Sequence, residues 1–355
     1  MNSKSCAIVG ATGPAGQKLA AYLERHPFLE LQAVVASEKS AGKRFGEAIT
    51  PFFEKLDCPS PSNSTLNMLV QNLDDFNPRK YDIIFSTLDS DVAAKYEAGF
   101  ARYTPVFTAA GANRHAPLVP IHNVSVNDEH TAMIEHQRRK FDRDGFISAK
   151  SNCTTAPIVS ILRRISGYGI EYVSVYTEQA LSGAGKKGLD DASKYRQMLR
   201  EAPWYPYIEG ENDKVTRESR EILGSLDPEK STILPADFRI DALCTRVDRD
   251  NVHDERILIV TRKDFELPEM VETILMPNLQ YQLYGFPKDP IVLWPGAVTP
   301  KDHVARFGPM RIAIGEIKKP AERNLLIRVT TDNTGLGAGV GLIASVEYYA
   351  MKNLI

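Results

Sequence analysis

Cysteine is scarce in this sequence of 355 residues, and its four positions, Cys6, Cys58, Cys153 and Cys244, lie far apart. They form no CxxC pair, and the seven histidines do not cluster with them. Disulfide scaffolds and structural zinc sites need closely spaced cysteine or histidine residues, so neither is expected and no metal site is predicted. This cysteine usage is typical of a reduced, cytoplasmic protein.

The sequence also lacks a long apolar run and an excess of either charge. No stretch approaches the roughly 20 apolar residues of a membrane-spanning helix, and the first residues enter a strand pattern without the apolar core of a signal peptide. The formal net charge is −2, which argues against broad electrostatic binding to nucleic acid or to an anionic membrane. We therefore expect a soluble enzyme with a small-molecule substrate.

The length of the chain predicts two domains, because 355 residues exceed one ordinary core. Strand and helix patterns alternate up to about residue 150, which predicts a Rossmann-like α/β domain with a parallel, doubly wound sheet over 1–150. Residues 151–332 contain strands without regularly interposed helices, which predicts an α+β catalytic domain with a mostly antiparallel sheet. Residues 333–355 read as a helix that returns to the first domain.

A glycine-rich turn follows the first strand pattern. Gly10, Gly13 and Gly16 form GxxGxxG between a strand and a helix. The first glycine permits a tight turn, and the second lets the backbone approach a pyrophosphate at the helix N-terminus. The spacing differs from the GxGxxG fingerprint and also occurs in ordinary turns, but its place in the opening βαβ unit favours dinucleotide binding.

The segment after the second strand bears on the choice between NAD and NADP. Ser37, Ser40 and Lys43 offer hydroxyl groups and positive charge, which suit a ribose 2′-phosphate, whereas Glu38 is the one acidic residue. A solvated loop is the alternative interpretation. We predict NADP.

Cys153 stands in KSNCTTAP, between a strand pattern and a helix pattern. Helix N-termini favour the thiolate, so this position suits a nucleophile as well as a buried structural thiol. Gln179, Arg246 and His253 can add an uncharged hydrogen-bonding group, a carboxylate-binding fork and a proton-transfer group. Taken alone, the loop at Gln179 also fits an ordinary turn, and His253 also fits a surface or hydrogen-bonded structural histidine. With a nicotinamide cofactor, these groups predict thiolate attack on an aldehyde, hydride transfer from the thiohemiacetal, and capture of the resulting thioester by a second nucleophile.

Motifs along nearly the whole chain resemble those of the aspartate-semialdehyde dehydrogenase family, in the style of its archaeal and fungal-type members. In order, they are GATGPAG, HPFLELQAVVASEKSAGKRFG, SNCTT, QALSGAGKKG, YIEGENDKVTRESREILG, CTRVDRDNVHDE and DNTGLGAGVG. The resemblance implies reversible interconversion of aspartyl 4-phosphate and aspartate 4-semialdehyde with NADP, in the biosynthesis of lysine, threonine and methionine. It also implies a homodimer or homotetramer.

The resemblance also implies roles for single residues. Cys153 is the expected nucleophile, His253 the general acid and base, and Gln179 the residue that orients the acyl intermediate. Arg246 is expected to bind the substrate carboxylate and Glu211 its amino group. The expected phosphate ligands are Lys214, Arg114 and Asn113. The expected NADP contacts are Gly10, Thr12, Gly13, Pro14, Ala15, Gly16, Ser37, Ser40, Lys43, Ser182, Gly183 and Asn333.

The chain departs from the family pattern at Val252, where glycine is usual, at Leu336, where arginine is common, and in an insertion after Arg114. These changes leave open a related acyl-phosphate or acyl-CoA reductase, such as a malonyl-CoA or N-acetylglutamyl-phosphate reductase, and a non-catalytic paralogue. SNCTT lacks the proline–glycine pair usual in N-acetylglutamyl-phosphate reductases. Glu211 distinguishes an aspartate-semialdehyde dehydrogenase from a malonyl-CoA reductase, because malonyl-CoA has no amino group for it to bind.

Overall fold

The computed structural model describes residues 3–204, 206–227, 229, 231–294 and 299–355, in two compact units. The first unit takes the described residues of 1–151, 228–232 and 338–355, and the second takes those of 152–227 and 233–337. Within the described ranges, no helix has both the length and the apolar character that a membrane span requires.

The first unit is built around a parallel sheet. Its elements are β1 (Lys4–Val9), α1 (Pro14–Leu23), β2 (Leu29–Ala36), α2 (Phe45–Ala48), α3 (Asn63–Leu66), β3 (Val70–Asn72), β4 (Ile83–Ser86), α4 (Ser90–Phe100), β5 (Val106–Thr108), α5 (Met133–Phe141), β6 (Ile147–Ala149) and, from the C-terminal segment, α12 (Gly339–Met351). The described strands follow the order β3-β2-β1-β4-β5-β6, and every neighbouring pair is parallel. This is the strand order of a dinucleotide-binding fold, so the predicted parallel, doubly wound sheet is confirmed.

The C-terminal helix α12 lies within the first unit, against α1. A Cβ atom at Gly339 would lie 2.7 Å from the carbonyl oxygen of Ala15, so the glycine permits close contact between these two helices. The buried side chains of His26 and Glu347 also meet, with Nε2 and Oε1 2.7 Å apart. Both contacts hold the chain end beside the helix that follows the glycine-rich turn.

The second unit contains a mixed sheet. Its elements are α6 (Thr155–Arg164), β7 (Ile170–Gln179), α7 (Lys186–Leu189), α8 (Lys194–Glu201), α9 (Glu211–Ile222), β10 (Arg239–Arg246), β11 (His253–Thr261), α10 (Leu267–Leu275), β12 (Ile291–Leu293), α11 (His303–Phe307), β13 (Ile312–Ala321) and β14 (Asn324–Thr331). A small separate sheet pairs β8 (Ser225–Asp227) with β9 (Thr232–Leu234).

The strand order of the larger sheet is β10-β7-β11-β14-β13-β12. The β7–β11, β11–β14 and β13–β14 pairs are antiparallel, but β10–β7 and β12–β13 are parallel. The prediction of a mostly antiparallel sheet was therefore inexact. Helices lie between β7 and β10 and between β12 and β13 in the chain, and such crossovers return the next strand in the same direction.

The arrangement of β7, β10 and β11 places three strand ends side by side. Gln179 ends β7 and pairs in register with Arg246, which ends the parallel strand β10. On the other side of β7, Glu178 pairs with Asp254, the second residue of β11. The antiparallel strand β11 therefore begins, with His253, at the edge where β7 and β10 end.

Candidate active site

The thiol of Cys153 faces the imidazole of His253. Cys153 is half-buried in the turn before α6, and its Sγ lies 3.3 Å from Nε2 of His253, although the two residues are 100 positions apart in the chain. Thr154 caps α6, so the predicted strand–turn–helix context of the cysteine is present. The two residues have the geometry of a nucleophile and its proton-transfer partner.

The other ring nitrogen of His253 has its own partner. Nδ1 accepts a hydrogen bond from the backbone N–H of Ala180 at 3.1 Å. An accepting Nδ1 carries no hydrogen, so the neutral imidazole carries its hydrogen on Nε2, toward Sγ of Cys153. Burial lowers the pKa of His253 well below its ordinary value, and the charges of Arg246 and Arg249 lower it further. The imidazole is therefore neutral at physiological pH.

Cys6 and Cys244 are chemically different from Cys153. Both are fully buried. Burial raises the pKa of Cys6 well above its ordinary range and that of Cys244 to about 12. A thiol of such high pKa stays protonated and inert, so Cys6 and Cys244 pack as small hydrophobic side chains.

Arg246 is a cationic group at the end of β10. It is 5% exposed, and its Nη1 donates to the carbonyl oxygen of Ala180 at 2.5 Å. Within the described residues, its buried Nε has no hydrogen-bond partner. A buried guanidinium with an unused donor is suited to an anionic ligand, since an unsatisfied buried donor costs about 1–3 kcal/mol.

Glu211 and Lys214, at the start of α9, form an ion pair beside the cysteine turn. Nζ of Lys214 lies 3.3 Å from Oε2 of Glu211, and Nδ2 of Asn152 donates to Oε1 of Glu211 at 2.8 Å. The backbone N–H of Asn152 donates to Oε2 of Glu218 at 2.6 Å. Asn152, the residue before Cys153, is thus tied to α9 through two glutamates.

The predicted cofactor residues Ser182 and Asn333 lie together, and both are buried. Nδ2 of Asn333 donates to Oγ of Ser182 at 2.9 Å, and Oδ1 of Asn333 accepts from the backbone N–H of Val252 at 3.1 Å. Ser182 also contacts Oδ1 of Asn251, at 3.3 Å. This network joins the glycine-rich loop after β7 to the residues just before His253.

Two glycines of the second unit lie directly against predicted site residues. A Cβ atom at Gly183 would lie 2.7 Å from Nη1 of Arg246, and one at Gly337 would lie 2.5 Å from Cβ of Cys153. Real Cβ atoms essentially never approach other atoms so closely. Gly183 and Gly337 therefore let the backbone pass directly beside the side chains of Arg246 and Cys153.

In the first unit, the glycine-rich turn has the form that the sequence predicts. Gly10 has a φ of +81°, and a Cβ atom there would meet the backbone of Thr87 at 2.8 Å. Gly16 packs against the carbonyl oxygen of Gly10, at 2.6 Å from a built Cβ. Gly13 caps α1 with Pro14 behind it, and Thr12 and Ala15 are half-buried in the same turn.

The remaining predicted residues of the first unit lie in two loops. Ser37, Ser40 and Lys43 follow β2 in a series of turns, and Lys43 is exposed. Asn113 and Arg114 follow β5 in half-buried positions. Nη2 and Nε of Arg114 donate to the carbonyl oxygens of Ala109 and Lys150, at 2.9 and 2.8 Å.

Sequence reasoning did not identify Asn152 and Ala180 as parts of the site. Asn152 acts through its amide on Glu211, and Ala180 acts through its backbone N–H on His253 and its carbonyl oxygen on Arg246. Both are direct neighbours of predicted residues, Cys153 and Gln179. Their positions next to predicted site residues are the one sequence signal that could have identified them. For Ala180 the residue type gives no signal, because its contacts are made by backbone atoms.

Known proteins resemble the chain over its whole length. Residues 5–134 match the family model described as semialdehyde dehydrogenase, NAD binding domain. The chain is 33% identical to the aspartate-semialdehyde dehydrogenase of Methanothermobacter thermautotrophicus over 96% of this chain and 97% of that protein. It is 31% identical to the aspartate-semialdehyde dehydrogenase of Aspergillus fumigatus, with 99% and 98% covered. The crystal structure of aspartate semialdehyde dehydrogenase with NADP from Candida albicans matches 100% of both chains, with a TM-score of 0.82 and 26% identity.

Proposed function

This chain belongs to the aspartate-semialdehyde dehydrogenase family, and on that premise we propose that it interconverts aspartyl 4-phosphate and aspartate 4-semialdehyde with Cys153 as the nucleophile. It is an NADP-dependent oxidoreductase. The single observation that carries the mechanism is the 3.3 Å approach of Cys153 Sγ to His253 Nε2. The acyl-CoA and other acyl-phosphate reductases are not favoured, since the relatives named above are aspartate-semialdehyde dehydrogenases.

The residues of the first unit fit a dinucleotide. Gly10 has a positive φ, and a built Cβ at Gly13 would make only an ordinary contact, 3.5 Å from the carbonyl oxygen of Gly10. These features support a pyrophosphate at the start of α1. Ser37, Ser40 and Lys43 would hold the 2′-phosphate. Ser182, Gly183 and Asn333 are our further proposed contacts. When bound, NADP supplies the hydride acceptor.

We assign the first covalent step to the Cys153–His253 pair. Nε2–H of His253 donates to sulfur and so favours the thiolate, which adds to the aldehyde carbon and forms a thiohemiacetal. The aldehyde oxygen becomes negative as the C–S bond forms, and Nε2–H stabilises this oxyanion by donating a hydrogen bond to it. When the hydride leaves the carbon, the C=O bond forms again and the thioester results, so the ring keeps its hydrogen in these steps. Nε2 is the ring atom that faces sulfur, and the proposed general acid and base role of His253 is assigned to it. Gln179 is proposed to hold the acyl group. The end of its strand, which lies beside Arg246 and the start of the strand of His253, supports this role.

Substrate binding is assigned to charged groups around this pair. The unused Nε of Arg246 suits the α-carboxylate, because a guanidinium binds carboxylates through two parallel N–H groups. Glu211 is proposed to bind the substrate ammonium in exchange for Lys214, which then becomes available to phosphate. Asn113 and Arg114 of the first unit are further proposed phosphate ligands, on the strength of the family resemblance. Phosphate attacks the thioester carbon, the C–S bond breaks, and the Cys153 thiolate is regenerated.

The test is the formation of NADPH from aspartate 4-semialdehyde and NADP, with and without inorganic phosphate. We expect turnover that requires phosphate and is abolished in Cys153→Ala, while NADP binding to that variant is retained. Turnover by Cys153→Ala would exclude the proposed nucleophile. Turnover without phosphate, or none at all from a folded protein that binds NADP, would exclude the proposed reaction.

The cytoplasmic location and the oligomeric state belong to the same proposal. The sparse, dispersed cysteines support a reducing compartment. The family resemblance supports a homodimer or homotetramer. Light scattering of the purified chain tests the second point, and a monomeric mass would contradict it.

A further inference from the structure

Glu97, on α4 of the first unit, is a fully buried carboxyl group that has no role in the mechanism above. Its exposure is 0%. Glutamate is almost never fully buried unless its oxygens are paired. Each oxygen of Glu97 has a close partner: Oε1 accepts from Oγ1 of Thr108 at 2.6 Å, and Oε2 accepts from Nδ2 of Asn113 at 2.6 Å.

Both partners belong to the segment that leaves β5 and carries the proposed phosphate ligands. Oγ1 of Thr108 also accepts from the backbone N–H of Ala110 at 3.0 Å, so the hydroxyl connects Glu97 to the start of this loop. The backbone N–H of Gly111 donates to Oγ of Ser90, the first residue of α4, at 3.2 Å. The first residues of the loop are therefore held against α4. Glu97 holds the loop at a second point, the side chain of Asn113.

We propose that Glu97 is a positioning residue that fixes the side-chain amide of Asn113 for phosphate binding. The inference rests on the proposed function, in which Asn113 contacts phosphate. An unheld asparagine can turn its amide by half a revolution and exchange its oxygen for its nitrogen. An ionised carboxyl group accepts hydrogen bonds but donates none, so Glu97 selects the orientation in which Nδ2 faces it.

This selection has a consequence for the ligand. Phosphate oxygens accept hydrogen bonds, so an asparagine must present an N–H group to them. One Nδ2 hydrogen points to Glu97, and the second is then held in one direction. Without Glu97, the oxygen of Asn113 could face phosphate for part of the time and repel it. The pKa of Glu97 is raised, chiefly by burial, and the hydrogen bonds from Thr108 and Asn113 act in the opposite direction. Both of these groups donate to Glu97, so its two oxygens act as acceptors.

A double-mutant cycle tests the proposal. We expect Glu97→Ala to raise the KM for phosphate about 10-fold, the usual cost of one misplaced hydrogen bond, with the KM for NADP changed less than about two-fold. Asn113→Ala should raise the KM for phosphate at least as much. The double variant should be no worse than Asn113→Ala alone, because Glu97 acts through Asn113. Additive effects, or equal increases in both KM values, would overturn the proposal.

Two further variants keep the test informative if Glu97→Ala does not fold. Glu97→Gln can turn its oxygen to Asn113 and its amide nitrogen to Thr108, so it should keep the KM for phosphate within about three-fold of the unaltered enzyme. Glu97→Asp keeps the charge but withdraws the oxygens by one methylene, so it should resemble the alanine variant. If Glu97→Asp keeps a normal KM for phosphate, the carboxyl group does not position Asn113.

The proposed function is judged separately, by the phosphate dependence of the unaltered enzyme. If turnover requires phosphate and Asn113→Ala leaves the KM for phosphate unchanged, only the inference about Glu97 and Asn113 fails. If turnover does not require phosphate, the proposed function fails first.

Discussion

The backbone N–H of Ala180 lies 3.1 Å from Nδ1 of His253, on the side of the ring opposite the 3.3 Å contact with Cys153 Sγ. Gln179 was predicted to orient the acyl intermediate. The residue after it, Ala180, sets the tautomer of His253 through its backbone N–H. A protonated His253 would carry hydrogens on both nitrogens, and Nδ1–H would then oppose the N–H of Ala180. The contact therefore has the same effect as burial and the two arginines: it keeps the imidazole neutral.

Removal of this one N–H group should raise the pKa of His253. Ala180 has a φ of −68°, close to the value that proline requires, so Ala180→Pro removes the donor with little change of backbone. We expect the acidic limb of the kcat/KM profile to move to higher pH, by about one unit for the loss of one hydrogen bond. Ala180→Gly keeps the N–H and is the matched control. An acidic limb that is the same in both variants would show that the contact does not set the pKa.

The lowered pKa of His253 also predicts a pH dependence of stability. Unfolded histidine titrates near its ordinary value of 6.5, above the folded pKa, so the unfolded state binds more protons between the two values. The free energy of unfolding should therefore be maximal above pH 6.5 and fall below it, by up to about 1.4 kcal/mol per pH unit for this group. Urea denaturation between pH 5 and 7.5 measures the slope.

His253→Gln should reduce this slope without abolishing it, because burial also lowers the pKa of His122. His122→Gln is the matched variant and should remove a separate part of the slope. Equal slopes in the unaltered protein and in His253→Gln would contradict the assignment.

Val252 adopts a conformation that valine rarely tolerates. Its φ is +71°, and its side chain is fully buried. Such a conformation costs about 1–3 kcal/mol for a β-branched residue, whereas burial of the side chain contributes about 1.5–3 kcal/mol. Val252→Gly removes both the conformational cost and the stabilisation from side-chain burial. The expected net loss of unfolding free energy is therefore about 1 kcal/mol or less.

The control for this variant is Val173→Gly, at a fully buried position of β7 without a positive φ. Loss of the buried side chain and the added flexibility of glycine should cost about 2–4 kcal/mol there. Urea denaturation of both variants gives the comparison. A similar loss in the two variants would mean that Val252 is not strained.

A side chain at Gly337 should displace Cys153, the proposed nucleophile. A Cβ atom there would lie 2.5 Å from Cβ and 2.7 Å from Cα of Cys153, so one of the two backbones must move. Misplacement of a reacting group by about 1 Å can cost about 100-fold in rate, and we expect Gly337→Ala to lower kcat/KM by about 10- to 100-fold. Gly167→Ala is the control, since a Cβ there meets no described atom within 4 Å. A normal kcat/KM in Gly337→Ala would show that the turn can yield without consequence.

Charge reversal at Lys43 should separate NADP from NAD. Lys43 is exposed in the loop after β2, where the proposed 2′-phosphate site lies. Lys43→Glu places a negative charge against that phosphate, so the Kd for NADP should rise about 10-fold or more while that for NAD changes little. Lys80→Glu makes the same change of net charge at an exposed lysine of another segment. Equal weakening of NADP and NAD in Lys43→Glu would reject the 2′-phosphate contact.

The local part of the site could be predicted from the sequence. The GxxGxxG spacing predicts a tight turn before a helix. The positive φ of Gly10 and the close packing of Gly16 on Gly10 are features of that short turn. The place of Cys153 before a helix follows from the strand and helix patterns on either side of it. Such features depend on short stretches of chain, which apolar periodicity and glycine positions describe well.

The direction of strands was only partly predictable. Alternating strands and helices in the first unit require a parallel sheet, and that prediction held. In the second unit, the sequence pattern of the short strand β12 and of the helices between β7 and β10 is weak. It does not predict that the β10–β7 and β12–β13 pairs are parallel. Whether a strand returns parallel or antiparallel depends on the path of its connection, which residue patterns describe poorly.

The sequence by itself determined the residue types of the site and the motifs that carry them. The tertiary structure alone decided which of them meet: His253 lies 100 positions from Cys153, and their contact depends on the packing of β11 beside β7. It also decided the tautomer of His253 through the backbone of Ala180, and the strained conformation of Val252. These properties arise from contacts between distant segments and from backbone atoms that every residue shares. They therefore cannot be predicted from the residue types along the chain.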